Sequence, residues 1–431
     1  MFHDIMKIFA KNLLASLARA VIKKYRPLII GITGSVGKTS TKEAIFAVLA
    51  SKMSVRKSPG NYNTEFGVSA TILGISAPGR SPFRWLGAIA RALGLLMIRD
   101  ATYPKVLALE MAADRPGDIE FLVRIAPPKI GVLTAIGPAH LERFGTIERV
   151  AAEKSLLVAA LPADGTAILN ADDERVMATA AKTKARVVTY GFSDDAAVRA
   201  ADISTTLTHN EDGQIGAGMT AKVASDGAVV PMRLDGVLGT SHVYAALAAT
   251  SVGVAFGMNL VEIAEALHAY APPPGRMRVI SGIKYTIILD DTYNASPLSM
   301  RAALETLRSL PIAEETRRIA VLGDMLELGA ETDNAHEEVG RHVAELGIDL
   351  LVAVGERARA IHEAASQAGM SSDRVFHFGS AEEAGRFVQE RLRRGDIVLA
   401  KGSRGMRMER VVKELMAEPL RAKELLVSDI E

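Results

Sequence analysis

The first 27 residues place Phe2, Ile5, Phe9, Leu13, Leu17 and Val21 three or four apart, with Lys7, Lys11, Arg19, Lys23, Lys24 and Arg26 among them and Asp4 as the only acid. That spacing predicts a basic amphipathic helix closed by Pro27. Such a helix either docks its apolar stripe on the domain that follows or lies on an anionic membrane. The segment PFRWLGAIARALGLLMIRD at 82–100 mixes apolar and cationic positions in the same way and leaves the same two readings open.

From residue 28 the pattern changes to short apolar runs, LIIGI, KVLALEM, KIGVLTA, GTAILN and ARVVTYG, separated by stretches of helical period. Alternation of this kind predicts a parallel sheet covered by helices. Between 191 and 235 the rhythm gives way to short polar strands, read as an inserted or edge β-region. PPPGRMR at 272–278 is stiff and marks a boundary. Beyond it YTIILD, RIAVLG, DLLVAV, RVFHF and DIVLAKG restart the alternation and predict a second doubly wound α/β domain. The expected division is a helix over 1–27, a central domain over 28–276 and a C-terminal domain over 277–431.

Composition narrows the chemistry. Across 431 residues there is no cysteine, which excludes disulfides, thiol nucleophiles and thiolate metal sites. A formal charge of +1 gives no general reason to expect a nucleic-acid partner. The longest apolar stretches, such as ALGLLMI at 92–98, fall short of the ~20 residues that cross a bilayer. The spaced apolar residues at the start do not form a signal peptide. A cytoplasmic enzyme is the expectation.

TGSVGKTS, residues 33–40, follows the strand-like LIIGI and runs into a helical pattern. Gly34 and Gly37 let backbone N–H groups turn inward, with Ser35 and Val36 between them, and the helix aims its positive end at the same point. Lys38 would reach the β/γ-phosphates, Thr39 would offer a hydroxyl to magnesium, and Ser40 closes the loop. The strict phosphate-loop spacing is not met, because Ile32 stands where its first glycine belongs and Gly31 lies one place earlier. The strand–loop–helix context still points to ATP or GTP, without fixing the reaction.

Further segments follow in order: NYNTEFGV at 61–68, LEMAADRPGDI at 109–119, AHLERFGTIERVAAEK at 139–154, LNADD at 169–173, GRM at 275–277, DDTYNASPLSM at 290–300 and GDMLELG at 323–329. Together with the phosphate loop they resemble the Mur ligases over about residues 28–415. DDTYNASPLSM and GDMLELG resemble the branch that adds D-alanyl-D-alanine to a UDP-N-acetylmuramoyl-tripeptide. The resemblance implies a central ATPase-type parallel-sheet domain and a Rossmann-like C-terminal domain. It also implies an ATP-dependent peptide ligase of peptidoglycan synthesis: a substrate carboxylate takes the γ-phosphoryl group, and an amine then displaces phosphate.

Residue by residue, the resemblance implies that Glu110 and Thr39 hold one magnesium ion. It further implies that His140 and a carbamylated Lys154 hold a second. Read alone, a lysine in a helix is a solvated charge and a loop histidine is satisfied locally. Asn61, Asn63 and Thr64 would approach substrate and phosphates, or serve only the turn. Arg276, Asp291 and Asn294 would bring the C-terminal domain over ATP, unless the aspartates only cap the helix near Pro297. Lys401, Ser403 and Arg404, in the domain that would bind the incoming amine, would be carboxylate or phosphate anchors.

Two departures stand out. The family's G-x-H-N-x-x-N-A-L-A-A reads GTSHVYAALAA at 239–249, so His242 could contact adenine but Ala245 offers no side-chain hydrogen bond. Only 30 residues precede Gly31, too few for the family's UDP-binding domain. The acceptor is then held by the central domain and first helix, or it differs, as a lipid-linked acceptor would. A glutamate-adding ligase and a non-catalytic nucleotide-dependent scaffold are the rivals. A monomer acting on small molecules, with peripheral membrane contact through residues 1–27, completes the expectation.

Overall fold

The computed structural model describes residues 2–427 except 61, 80, 210–214, 312 and 314, with side chains from residue 9 onward apart from those at 82 and 209. Two sheets organise the chain. The first has nine strands in the order β2-β3-β1-β4-β5-β6-β7-β8-β9. These are β1 (Leu28–Thr33), β2 (Val55–Lys57), β3 (Val106–Glu110), β4 (Ile130–Leu133), β5 (Thr166–Asn170), β6 (Arg186–Gly191), β7 (Val198–His209), β8 (Ile215–Ser225) and β9 (Ala228–Asp235). The second has six, in the order β10-β11-β15-β12-β13-β14: β10 (Arg278–Ser281), β11 (Ile287–Asp291), β12 (Arg318–Gly323), β13 (Leu350–Val354), β14 (Val375–Phe378) and β15 (Ile397–Lys401).

The apolar runs become strands because they are buried on both faces, as β3, β4 and β13 are throughout. Strands β1 to β6 are parallel. The chain passes from β1 to β2 and β3 on one side and then to β4 on the other, so β1 lies at the point where strand order reverses. Open α/β sheets bind ligands at that point, beyond the strands' C-terminal ends.

The β-region after residue 191 differs from its expected form. Strands β7 and β8 have 12 and 11 residues and, with β9, extend the first sheet as an antiparallel meander. Its half-buried strands alternate inward and outward residues, which in isolation look polar and short.

One face of the first sheet is packed by α2 (Lys38–Ala50) and the helix Thr240–Ala255. The other carries α1 (Phe2–Tyr25), α3 (Glu65–Leu73), α4 (Pro82–Met97) and α5 (Asp118–Ile125). Helix α1 is docked, through a face that overlaps the expected stripe at Val21 and Leu17 but is rotated toward Leu14, Ala15 and Ala18. Leu14, Ala15, Ala18 and Val21 are buried, whereas Phe9 is 64% exposed and Leu13 and Leu17 are half-buried. The two alanines let α1 approach its neighbours closely, and the larger side chains fall on the rim. Phe2, Ile5 and Lys7 lie outside the described side chains. Lys24 donates to the carbonyls of Leu95 and Leu96, at 2.8 and 2.9 Å, and Tyr25 donates to Leu95 at 3.0 Å, tying α1 to the end of α4. Among the described residues no helix is long and apolar enough to cross a membrane.

Candidate functional site

The loop after β1 is built around Gly34, whose φ is 149°. A Cβ at this position would lie 1.9 Å from Thr134 Oγ1, which leaves no room for a side chain. Thr134 donates to the Val36 carbonyl at 2.6 Å, and the Ser35 hydroxyl donates to the Gly137 carbonyl at 2.8 Å. The loop is therefore held from β4's far end. Lys38 donates to the carbonyls of Gly34 (2.7 Å) and Ser35 (3.3 Å). Burial lowers its pKa, with Glu110 opposing and Arg276 adding to the shift.

Glu110 ends β3 beside Ile32 of β1. Its Oε1 accepts from Thr39 Oγ1 at 3.3 Å and from Asn63 Nδ2 at 3.1 Å. Its Oε2 is buried with no hydrogen bond, and the nearest cation is Lys42 Nζ at 3.8 Å, too long for one. Lys42 is fully buried and also neighbours Glu43 at 3.3 Å. An orphaned carboxylate oxygen next to a hydroxyl fits a divalent cation. Among the described residues no three His, Asp or Glu side chains converge into a metal cage. Magnesium takes few protein ligands and fills its shell with phosphate and water, so this donor set suits it. Asn63 is thus placed at the site, Thr64 begins α3, and Asn61 lies outside the described residues.

Lys154, in the helix Ile147–Ala159, is not a solvated charge. It is 2% exposed and has no hydrogen bond or ion pair among the described residues. Burial first, and then the charge of Lys38, lower its pKa to about 7, against the pull of Glu153 and Asp114. Its neighbour Glu153 accepts from the N–H groups of Gly117 (2.9 Å) and Ile119 (2.7 Å), satisfying the start of α5. His140, at φ 53°, lies between two carboxylates: Nδ1 is 2.6 Å from Glu327 and Nε2 is 3.6 Å from Asp114. Glu327 belongs to the second sheet's lobe, so this contact crosses the cleft.

The linker brings Arg276 back to the loop. Its Nη2 reaches Thr39 Oγ1 at 3.5 Å, and its guanidinium lies 4.0 Å over the Tyr293 ring. His242, expected at adenine, lines the cleft with both ring nitrogens already engaged. It is 1% exposed, with Nδ1 2.7 Å from the Tyr270 hydroxyl and Nε2 3.1 Å from the Arg276 carbonyl. Both ring nitrogens are committed to supporting the hinge, and burial lowers its pKa to about 4. Asp290 accepts from Gly275 N–H at 3.0 Å and from the Thr292 hydroxyl at 2.6 Å, and burial raises its pKa to about 6.

The expected anchors also have partners within the fold. Lys401 is 2% exposed and donates to Asp291 (2.6 Å) and to the Asn294 carbonyl (2.9 Å). Ser403 accepts from Leu326 N–H at 2.9 Å, and Arg404 donates to Glu409 at 3.0 Å. Lys401 therefore braces Asp291 and Asn294 rather than awaiting a carboxylate. Lys401→Met is expected to cost about 3 kcal/mol in thermal unfolding, because it strips a nearly buried carboxylate of its partner.

Between the lobes opens a cavity of about 850 Å³. Ser35 to Ser40, His140, His242, Arg276, Asp291, Asn294, Lys401, Ser403 and Arg404 line it. Glu110, Asn63 and Lys154 stand behind this lining, coupled to it through Thr39 and Lys38. Sequence reading gave no role to Lys42, Asp114, Tyr293 or Glu327. Asp114 and Glu327 lie inside the quoted segments LEMAADRPGDI and GDMLELG, and Lys42 falls one helical turn after Lys38.

Both lobes around this cleft are similar to domains of known proteins. Residues 91–253 match the Mur ligase middle domain and residues 275–404 match the Mur ligase, glutamate ligase domain. The UDP-N-acetylmuramoyl-tripeptide--D-alanyl-D-alanine ligase of Bacillus subtilis is 31% identical over 408 residues, covering 94% of this chain and 80% of that protein. The ligase of the same name from Mycobacterium tuberculosis is 36% identical over 432 residues, covering 94% and 76%. The crystal structure of the Thermotoga maritima MurF ligase in complex with ADP superposes with a TM-score of 0.76 at 28% identity, covering 96% of this chain and 84% of that one. That of Acinetobacter baumannii MurF gives 0.77 at 25%, covering 93% and 79%. None of these names bears on a modified lysine, and the carbamate gains no support from them. With matched domains on both sides of the cleft and relatives of this identity along nearly its whole length, the chain belongs to the Mur ligase family.

Proposed function

We propose that this protein is an ATP-dependent ligase of peptidoglycan precursor synthesis, joining D-alanyl-D-alanine to a UDP-N-acetylmuramoyl-tripeptide. The observation that carries this reading is the convergence, in one cleft, of the phosphate loop, the Glu110–Thr39 pair behind it and Arg276 arriving from the hinge.

In the first step a carboxylate oxygen of the acceptor bonds to the γ-phosphorus of ATP as the bond to ADP breaks. In the second the amine nitrogen of the dipeptide bonds to the acyl carbon, the carbon–oxygen bond to phosphate breaks, and the nitrogen loses its proton. Phosphoryl transfer depends mainly on positioned positive charge. Lys38 and Arg276 supply it on the cleft side, and the buried Lys154 stands behind Lys38. Magnesium, held through Thr39 and Glu110, would draw together the phosphate oxygens. A second ion near His140 and a carbamate on Lys154 are the finer parts of the reading. The support for the carbamate is the chemistry of a desolvated amine, since only the neutral form adds carbon dioxide. The reading further takes the enzyme to be cytoplasmic and to act as a monomer.

Mass spectrometry of a reaction containing UDP-N-acetylmuramoyl-tripeptide, ATP and D-alanyl-D-alanine tests the assignment. The expected product is the acceptor plus the dipeptide less one water, with one phosphate released per bond formed. Phosphate release only with glutamate, or only with a lipid-linked acceptor, would replace the substrates named here. No release with any pair would leave a scaffold that kept the loop without the chemistry.

A further inference from the structure

Helix α4 has two apolar faces, and folding uses only one of them. Ala88, Ala92 and Leu95 are buried toward α1 and α3. On the other side Phe83, Leu86, Leu93, Met97 and Ile98 are 85, 67, 47, 82 and 75% exposed. Phe83, Leu86, Leu93 and Met97, with the exposed Ala90 between the middle two, lie along one side of the helix at helical period. Exposed stripes of this size on a folded chain mark an interaction surface.

Charge selects the partner. Between Glu65 and Asp100 the chain carries no acidic residue and four arginines. Arg84 and Arg91 are exposed on α4 and Arg99 is exposed just past its end, and among the described residues the one ion pair they make is that of Arg91 with Asp100, at 3.0 Å. Lys23 and Arg26, also exposed, stand at the end of α1 that Lys24 and Tyr25 fasten to the end of α4. A protein of near-neutral net charge thus gathers cations around its most exposed apolar stripe. The 16 residues of α4 span about 24 Å, less than a hydrocarbon core of about 30 Å. A short helix with an apolar face and an arginine border suits the plane of a lipid surface rather than its interior.

We propose that the open face of α4 docks this protein on an anionic lipid surface. Docking on lipid is one of the two readings that the sequence leaves open for both α1 and residues 82–100; α1 buries Leu14, Ala15, Ala18 and Val21 in the protein, and α4 is the helix that presents an open apolar stripe. Trp85 joins this face to the cleft: its ring meets Phe66 edge-on at 6.2 Å, in the first turn of α3, just after Asn63 and Thr64. Docking is independent of the ligase assignment.

Trp85 is the only tryptophan in the chain, so its emission reports the event directly. The full-length protein is mixed with phosphatidylcholine vesicles, with or without phosphatidylglycerol, and followed by flotation and fluorescence. It is expected to float with the anionic vesicles alone, with a blue-shifted emission, and to be released by salt. Phe83→Ser, Leu86→Ser and Met97→Ser together are expected to lower partition about tenfold while ATP binding is unchanged. Arg84→Glu with Arg99→Glu keeps the stripe intact and is expected to remove the preference for anionic lipid. Absence of flotation, or partition unchanged in both variants, would overturn the proposal. So would a dimer in solution that the serine variant splits, which would assign the face to a second copy.

Discussion

Lys154→Ala is expected to lower turnover about 10³-fold while ATP binding stays within about threefold of the unsubstituted protein, read by phosphate release and by nucleotide titration. The reasoning is positional. Lys154 is buried behind Lys38 without a hydrogen bond, so its removal changes the charge that faces the phosphates and breaks no structural contact. Lys154→Met carries a second, opposite readout. Because burial holds the pKa near 7 instead of 10.5, the folded chain disfavours the charged form. The resulting cost is fully present below about 7 and is relieved as pH rises toward 10.5, where the unfolded chain gives up its proton too. Lys154→Met is therefore expected to raise stability by on the order of 1–3 kcal/mol at or below neutral pH, with the gain fading in alkali. A residue retained at such a cost is explained by chemistry rather than by folding. Recovery of Lys154→Ala by added short carboxylates would favour a carbamate. Full activity of that variant without them would remove the carbamate from the reading.

The second large effect is expected at Glu110. Glu110→Gln keeps the shape but removes the charge that faces Thr39, Asn63 and Lys42. Turnover is expected to fall about 10³-fold, with the magnesium requirement shifted to higher concentration. Lys42 is then left fully buried with Glu43 as its remaining carboxylate neighbour, and stability is expected to drop by about 1–3 kcal/mol. Adding Lys42→Met should restore stability without restoring turnover, which separates the two roles of the carboxylate. Equal recovery of both would make Glu110 a structural residue only.

The phosphate loop was legible in the sequence because its chemistry lies in a few adjacent residues, and the apolar runs of β1, β3 and β4 were legible because strands buried on both faces read as continuous hydrophobic stretches. Glu110 was paired with Thr39 through the resemblance, and the structure places it at the end of β3 with Thr39 beside it. Contacts between distant segments were not legible in this way. Lys401, Ser403 and Arg404 looked like anchors because residue type reveals charge but not the carboxylate or carbonyl already beside it. His242 looked like a base contact until Tyr270 and the Arg276 carbonyl were found on its two nitrogens. The stripe on α1 was legible only in part: Val21 is buried and Leu17 borders the core, whereas Leu14, Ala15 and Ala18, between the stripe's positions, complete the packed face.

The grip of Lys38 on the carbonyls of Gly34 and Ser35 has a consequence for selectivity. An arriving anion gains that ammonium only by offering it more than two peptide dipoles already do. A triphosphate, with its larger charge, meets that cost more readily than a singly charged anion does.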